Sequence, residues 1–304
     1  MRRLLACAVL ALLACGLAAA AQDTVKGKIK VVASFSILAD LVRNVGGDRV
    51  EVTALIGRNE DSHAFEPSPA DSRRVADAKL VVVNGLGFEG WLDRLVRAAG
   101  GKVPVVVASN GVQPREGAGD ETRLVRDRAG VDPHAWQSVA NVKRYVANIR
   151  DALVRIDPAG QGTYAANAGA YLAKLDALDR DIRSTLAKIP ADRRRVISSH
   201  DAFGYFADAY GIEFSAPGGL STDAEPSALA VARIIQRIRS ERIGALFLEN
   251  IVDPRLVQLI ARETGACIGG TLYSDALTGP DGPASSYLDM MRHNVQELAA
   301  ALGG

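Results

Sequence analysis

The sequence has few cysteines and few histidines: three and four, respectively, in 304 residues. Cys7 and Cys15 lie at the N-terminus, in a segment that we expect to be removed during export. If cleavage follows Ala21, Cys267 is the only cysteine left, which excludes an intramolecular disulfide. Cys267 lies in an apolar, strand-like stretch over 265–269, and this context predicts a buried structural thiol.

The sequence also lacks a block of charge of one sign. Its 36 basic and 35 acidic residues give a formal net charge of +1, so we expect no nucleic-acid partner. Hydrophobic content of 48% and charged content of 23% are typical of a soluble globular protein. The length allows two domains or one large one.

A short basic N-terminus precedes an apolar run over 4–14, and small residues follow the run. This pattern predicts a signal peptide over 1–21, because the run is shorter than the about 20 residues that a spanning helix needs. Cleavage after Ala21 competes with lipidation of Cys15, which follows a lipoprotein-like box. Both routes place the mature protein outside the cytoplasmic membrane. We expect a periplasmic protein, with a lipid anchor at Cys15 as the alternative.

Strand and helix patterns alternate twice along the chain. The first set of strands is predicted at 29–33, 50–55, 79–83 and 103–107. The last of these is a nearly continuous apolar run, as is typical of buried parallel strands. A polar loop over 113–130 follows, without histidine. The second set of strands is predicted at 195–199, 211–214, 243–248 and 266–268.

Between the two sets, apolar residues recur every three or four positions from Tyr164 to Ile189, which predicts one long helix. The fold class is therefore α/β, with two parallel-sheet lobes joined by one long linker helix. We predict an N-terminal lobe over 22–157, the linker helix over 158–190 and a C-terminal lobe over 191–304.

Three of the four histidines and one aspartate lie in distinctive local contexts: His63, His134, His200 and Asp275. They are 71, 66 and 75 residues apart (134−63, 200−134, 275−200). Imidazole and carboxylate suit a borderline metal ion such as zinc. The long gaps exclude a zinc finger, whose ligands cluster locally.

These residues fall in loops at strand–helix junctions, and ligands of parallel α/β sheets bind at the carboxyl ends of strands. We therefore predict a metal site in the cleft between the lobes, with two ligands from each lobe. Asp61, Asp132 and Asp201 lie within two residues of a histidine and are candidate partners for the second ring N–H. Capping of a helix is an equal alternative for Asp132.

Other polar and aromatic residues have ordinary explanations as well. His293 lies in a terminal helix without a partner pattern, and we expect it to bind no metal. Trp91 and Trp136 are expected to pack in the core or the cleft wall. Asn84 follows a buried strand, where it would either line the cleft or satisfy backbone groups at a turn.

Several segments together carry a family resemblance. They are His63-Ala-Phe-Glu-Pro-Ser-Pro, Asn84-Gly-Leu-Gly-Phe-Glu-Gly-Trp, Asp132-Pro-His-Ala-Trp, Ser199-His-Asp-Ala-Phe-Gly-Tyr-Phe, Phe247-Leu-Glu and the Asp275 segment ending in Leu277. With them the chain resembles the metal-binding solute-binding proteins of ABC importers, the zinc/manganese group called cluster A-I or cluster 9. The resemblance implies two α/β lobes joined by one long helix. It also implies a metal ligand at each of the positions of His63, His134, His200 and Asp275.

The resemblance has two departures. Many zinc-specific members carry a His-rich loop near 113–130, where this chain has a charged loop without histidine. Some zinc members have a disulfide in the second lobe, which a lone Cys267 cannot form. Manganese members tend to carry Glu at the position of His200, and imidazole suits zinc better than manganese. We therefore expect Zn²⁺ as the bound ion, with Mn²⁺ or Fe²⁺ as alternatives.

The expected function is capture of Zn²⁺ outside the membrane and its delivery to an ABC permease. A periplasmic metallochaperone is a candidate second partner, and we expect a monomer. A rival hypothesis is a zinc metalloenzyme with an open coordination position, in which Glu66 or Glu249 acts as the general base. A lipidated surface adhesin is a third hypothesis. The resemblance favours the transport role, without enzymatic activity.

Overall fold

The computed structural model describes residues 27–117 and 130–303. The predicted signal peptide, the lipidation site and most of the histidine-free loop lie outside these residues. Among the residues that are described, no helix is both long enough and apolar enough to cross a bilayer.

The first half of the chain forms a four-stranded parallel sheet with strand order β2-β1-β3-β4. Its strands are β1 (Ile29–Phe35), β2 (Val50–Ile56), β3 (Leu80–Val83) and β4 (Val105–Val107). Its helices are α1 (Ser36–Gly46), α2 (Pro69–Asp77), α3 (Leu92–Ala98) and α4 (Val139–Ile156). The central strand β3 is buried throughout, because helices cover a parallel sheet on both faces.

The second half repeats this order, as β6-β5-β7-β8. Its strands are β5 (Arg195–Ile197), β6 (Glu213–Ser215), β7 (Ala245–Glu249) and β8 (Cys267–Leu272). Its helices are α6 (Gly204–Tyr210), α7 (Ala228–Glu241), α8 (Arg255–Thr264) and α9 (Tyr287–Gly303). All strand pairs in both sheets are parallel, so the carboxyl ends of the strands lie along one edge of each sheet.

Helix α5 (Gln161–Leu186) lies between the two halves in sequence. It packs against α1 and α4 beside the first sheet and against α6 and α9 beside the second. The apolar stripe predicted for this region is buried from Tyr164 to Leu186. The boundaries 22–157, 158–190 and 191–304 and the linking role of this helix remain predictions.

Two predictions about buried apolar segments are wrong. The run over 103–107 forms only the short strand β4, whose Val105 and Val107 side chains are 39% and 40% exposed. Cys267 is exposed rather than buried. Both segments form the outer strand of their sheet. Apolar composition alone does not distinguish an outer strand from a central one.

The last strand is also longer than predicted. The strand predicted at 266–268 stops before Gly269 and Gly270, but β8 continues to Leu272. The register of β8 against β7 shifts between Leu246 and Leu248. Gly270 has a φ of 128°, which L side chains rarely adopt, so the glycine accommodates the irregularity. The strand thereby reaches the segment that carries Asp275.

Candidate metal centre

Four side chains from both halves of the chain converge in one place. They are His63, His134, His200 and Asp275, and one potential ligand atom from each lies within 4.8 Å of the others. The Nε2 atoms of His63 and His200 lie 3.1 and 3.3 Å from Oδ2 of Asp275. Nε2 of His134 lies 3.7 Å from Oδ1 of the same carboxylate. The structure thus brings together all four residues that the sequence singled out.

The spacing of these atoms suits a single small cation. Tetrahedral ligands at about 2.0–2.1 Å from an ion lie about 3.3 Å from one another. The Nε2 atoms of His63 and His134 are 3.3 Å apart, and the distances to the carboxylate lie close to the same value. A set of three imidazole nitrogens and one carboxylate suits a borderline divalent transition metal.

His63 lies in the loop between β2 and α2. Oδ1 of Asp61 accepts the backbone N–H of His63 at 2.9 Å, so this aspartate holds the backbone rather than the ring. The edge of the imidazole packs against Phe88 with ring centroids 5.1 Å apart. Ser68 closes the loop by capping α2 in a reciprocal capping box with Asp71, as the Ser-Pro pair predicts.

His134 is held by Asp132. Oδ1 of Asp132 lies 2.8 Å from Nδ1 of the His134 ring and accepts its backbone N–H at 2.9 Å. The preceding carbonyl, that of Pro133, accepts a hydrogen bond of 2.8 Å from the Asn84 side chain. Oδ1 of Asn84 in turn accepts the Tyr145 hydroxyl proton. Asn84 therefore satisfies backbone groups, and it also fixes the segment that carries His134.

His200 is held by Glu249, at the end of β7. Oε2 of Glu249 lies 2.7 Å from Nδ1 of the ring. Oε1 accepts the backbone N–H groups of Ser199 and His200 at 2.8 and 2.9 Å. The sequence offers Glu249 as a general base of a metalloenzyme or as an anchor for a strand end, and it offers Asp201 as the carboxylate near His200. The ring partner is 49 residues away in sequence, where no local pattern indicates it.

Residues of the first half hold the segment that carries Asp275. Nε1 of Trp136 and Nε2 of Gln137 donate to the carbonyl oxygen of Ser274 at 2.8 and 2.7 Å. Asp275 itself is fully buried. No local sequence pattern indicates this role of Trp136 and Gln137, because it depends on contacts between segments that are distant in sequence.

The buried charges determine which groups carry protons in the metal-free protein. Burial alone would lower the pKa of His200, but the carboxylates of Glu249 and Asp275 outweigh burial and raise it well above 6.5. Burial alone would raise the pKa of Asp275, but His134 and His200 hold it well below 3.8. Burial alone would also raise the pKa of Glu249, but the neighbouring His200 outweighs burial and lowers it. A buried carboxylate that stays charged is a ligand ready for a cation.

Aromatic side chains form the wall of the site. Trp136 is fully buried, and its ring lies 5.2 Å from that of His134, 4.9 Å from Phe35 and 5.0 Å from Phe88. Trp91 is also buried and packs against Phe65. These contacts agree with the predicted packing role of both tryptophans.

The remaining candidates lie away from the site or are engaged by other groups. His293 has Nε2 3.0 Å from the carbonyl oxygen of Thr271 and packs edge-on against Tyr273. Glu66 is exposed. A cavity of about 470 Å³ lies beside the site and is bordered by His200 and Asp61.

The chain is similar to known metal-binding proteins over nearly its whole length. A family model described as the periplasmic component A of the zinc-uptake complex matches residues 31–301. The manganese-binding lipoprotein MntA of Halalkalibacterium halodurans is 36% identical over 298 residues, covering 97% of this chain and 96% of the relative. The iron-binding protein YfeA of Yersinia pestis is 34% identical over 286 residues, covering 93% and 88%.

A solved structure of a metal-binding protein also has the same fold. The periplasmic zinc-binding protein TroA of Treponema pallidum superimposes with a TM-score of 0.84 at 29% identity, covering 91% of this chain and all of that one. Further relatives are named as manganese ABC transporter substrate-binding lipoproteins. The family consists of solute-binding proteins, which excludes the metalloenzyme hypothesis. This chain belongs to the family of the periplasmic zinc-uptake component A, the metal-binding substrate-binding proteins of ABC transporters.

Proposed function

We propose that this protein captures Zn²⁺ outside the cytoplasmic membrane and delivers it to an ABC permease. The observation that carries the proposal is the convergence of His63, His134, His200 and Asp275 within 4.8 Å. Four protein ligands around one ion leave no position for a reacting water, which suits transport. The ion is the cargo, and the protein holds it until the permease receives it.

The choice of zinc rests on the donor atoms. Three nitrogens and one carboxylate favour zinc over manganese, because imidazole suits zinc and Mn²⁺ binds most weakly in the first-row series. Carboxylates stand behind two of the three rings, at Asp132 and Glu249. Such partners fix the ring orientation and raise the basicity of the ligating nitrogen.

Manganese and ferrous iron are the second candidate cargoes. The relatives with the two highest identities given above are named for manganese and for iron, so this family serves more than one metal. The ligand set does not exclude either ion, since affinity in this series is graded rather than absolute. Competition between zinc and manganese for the purified protein separates the candidates.

We propose a periplasmic location for the mature chain, with lipidation of Cys15 as the alternative. We expect the mature protein to be a monomer and to deliver the ion to the permease. A periplasmic metallochaperone that loads the site is the second candidate partner. Mass spectrometry of the mature N-terminus distinguishes a free Gln22 from a lipid-modified Cys15.

The transport role is tested by uptake in cells that lack the chromosomal copy of the gene. Wild-type protein should restore accumulation of radioactive zinc from a zinc-poor medium, and His134→Ala should not. The matched control is His293→Ala, which removes a histidine outside the site and should restore uptake fully. Equal uptake with wild-type protein and with His134→Ala would refute the proposal.

A further inference from the structure

One loop of the second half, which includes residues 218–222, contacts the segments that carry His200 and His63. Its first residues are bonded on both sides of His200: Gly218 donates its N–H to the carbonyl of Ser199 at 3.3 Å, and Asp201 donates its N–H to the carbonyl of Gly219 at 3.0 Å. A Cβ atom at position 218 would lie 2.9 Å from the Ser199 oxygen. Only glycine fits there without a shift, so the loop lies directly against the His200 segment.

The same loop reaches across to the first half through Thr222. Its hydroxyl donates to Oδ2 of Asp61 at 2.6 Å. The other oxygen of Asp61 accepts the backbone N–H of His63. A single carboxylate thus joins the backbone of one candidate ligand to the loop that is bonded around another.

This contact borders the cavity beside the site. Asp61, Thr222 and His200 all line that cavity of about 470 Å³. Of the four candidate ligands, His63 has the most exposed side chain, at 7%, whereas the other three are exposed by 2% or less. The Thr222–Asp61 hydrogen bond therefore lies at the edge of the cavity that adjoins His200.

We propose that Thr222 is a positioning residue that acts through Asp61, and that their hydrogen bond is a clasp that slows exchange of the bound metal ion. When the clasp is closed, the His63 and His200 segments are held together around the ion. When it is broken, the two segments separate more readily and the ion dissociates faster. This inference rests on the proposed metal site, and it adds a control of exchange rate that the ligands themselves do not provide.

The test is to mix zinc-loaded protein with excess chelator and to measure the rate of zinc dissociation by stopped-flow absorbance. Thr222→Val keeps the shape of the side chain and removes the hydroxyl, and we expect zinc to dissociate about tenfold faster, since the lost hydrogen bond is to a charged group. Thr222→Ser keeps the hydroxyl and should dissociate at the wild-type rate. Ser240→Ala, which removes an exposed hydroxyl on α7, is the matched control and should also match wild type.

A double variant tests whether Thr222 acts through Asp61. If it does, Asp61→Ala with Thr222→Val should release zinc no faster than Asp61→Ala alone, because residues in one hydrogen-bonded unit are not additive. Wild-type kinetics in Thr222→Val would overturn the clasp, as would equally fast release from Thr222→Ser. A wild-type protein that holds manganese instead of zinc would overturn the zinc proposal separately, and the same measurement with manganese would still test the clasp.

Discussion

Glu249 holds His200 at two points, with one carboxylate oxygen 2.7 Å from Nδ1 of the ring and the other 2.9 Å from the backbone nitrogen of the same residue. The glutamate is at the end of β7, and the histidine follows β5, the neighbouring strand. The pairing of the two strands therefore sets both the position and the orientation of a candidate ligand.

The first prediction concerns the charge of this glutamate. Glu249→Gln retains an oxygen that can accept the backbone N–H groups but removes the negative charge beside Nδ1. We expect zinc affinity to fall about 10- to 100-fold, as measured by competition with a chromophoric chelator. Glu263→Gln removes an exposed carboxylate and serves as the control. Unchanged affinity in Glu249→Gln would mean that the ion pair does not support binding.

The second prediction concerns pH. The carboxylates around His200 outweigh burial and raise its pKa in the metal-free protein, so the ring carries a proton that the metal ion must displace. Zinc affinity should therefore rise with pH until the pH passes the raised pKa of His200. Asp275, with its lowered pKa, stays charged over this range.

Calorimetry in buffers of different ionisation enthalpy counts the protons released on zinc binding. We expect proton release at neutral pH. The same proton stabilises the metal-free fold below the ordinary pKa of histidine, and this contribution is lost as pH rises through the raised value. Stabilisation by zinc should consequently grow with pH in thermal unfolding. Zinc binding without proton release at neutral pH would contradict this account.

The third prediction concerns Asn84, which is fully buried. Asn84→Ala leaves the carbonyl of Pro133 and the hydroxyl of Tyr145 without this partner. We expect the free energy of unfolding to fall by about 1–3 kcal/mol, and zinc affinity to fall with it because the His134 segment loses its support.

Asn148→Ala is the matched control for this variant. Asn148 also donates to two backbone carbonyls of the first half, those of Ala108 and Asn110, and neither carbonyl belongs to the His134 segment. It should lower the free energy of unfolding in urea and leave zinc affinity unchanged. If both variants bind zinc like wild type, Asn84 has only a structural role.

The fourth prediction concerns metal preference. His200→Glu replaces a nitrogen ligand with a carboxylate, which should weaken zinc binding more than manganese binding. The new carboxylate would also face Glu249, and two buried carboxylates repel each other. We therefore expect His200→Glu with Glu249→Gln to bind manganese more tightly than His200→Glu alone. Isothermal titration with both metals provides the comparison, and equal manganese affinity in the two variants would argue against the predicted repulsion.

Local sequence pattern identifies the four candidate ligands because each occupies a loop beside a regular strand or helix. The two lobes follow from the repeated alternation of strands and helices. Partners that come from a neighbouring strand or from a distant loop are not accessible in this way. Glu249 beside His200 is an example of the first kind, and Thr222 beside Asp61 of the second. Cys267 shows a different limit, since an apolar segment can form an outer strand with one face in water.

The measurement that tests the central claim most directly is the metal content of the natively purified protein, followed by competition between zinc and manganese. The account predicts about one zinc ion per chain, retained when manganese is present in excess. His63→Ala purified in parallel should lose most of the metal. Stoichiometric manganese with little zinc in the wild-type protein would contradict the assignment.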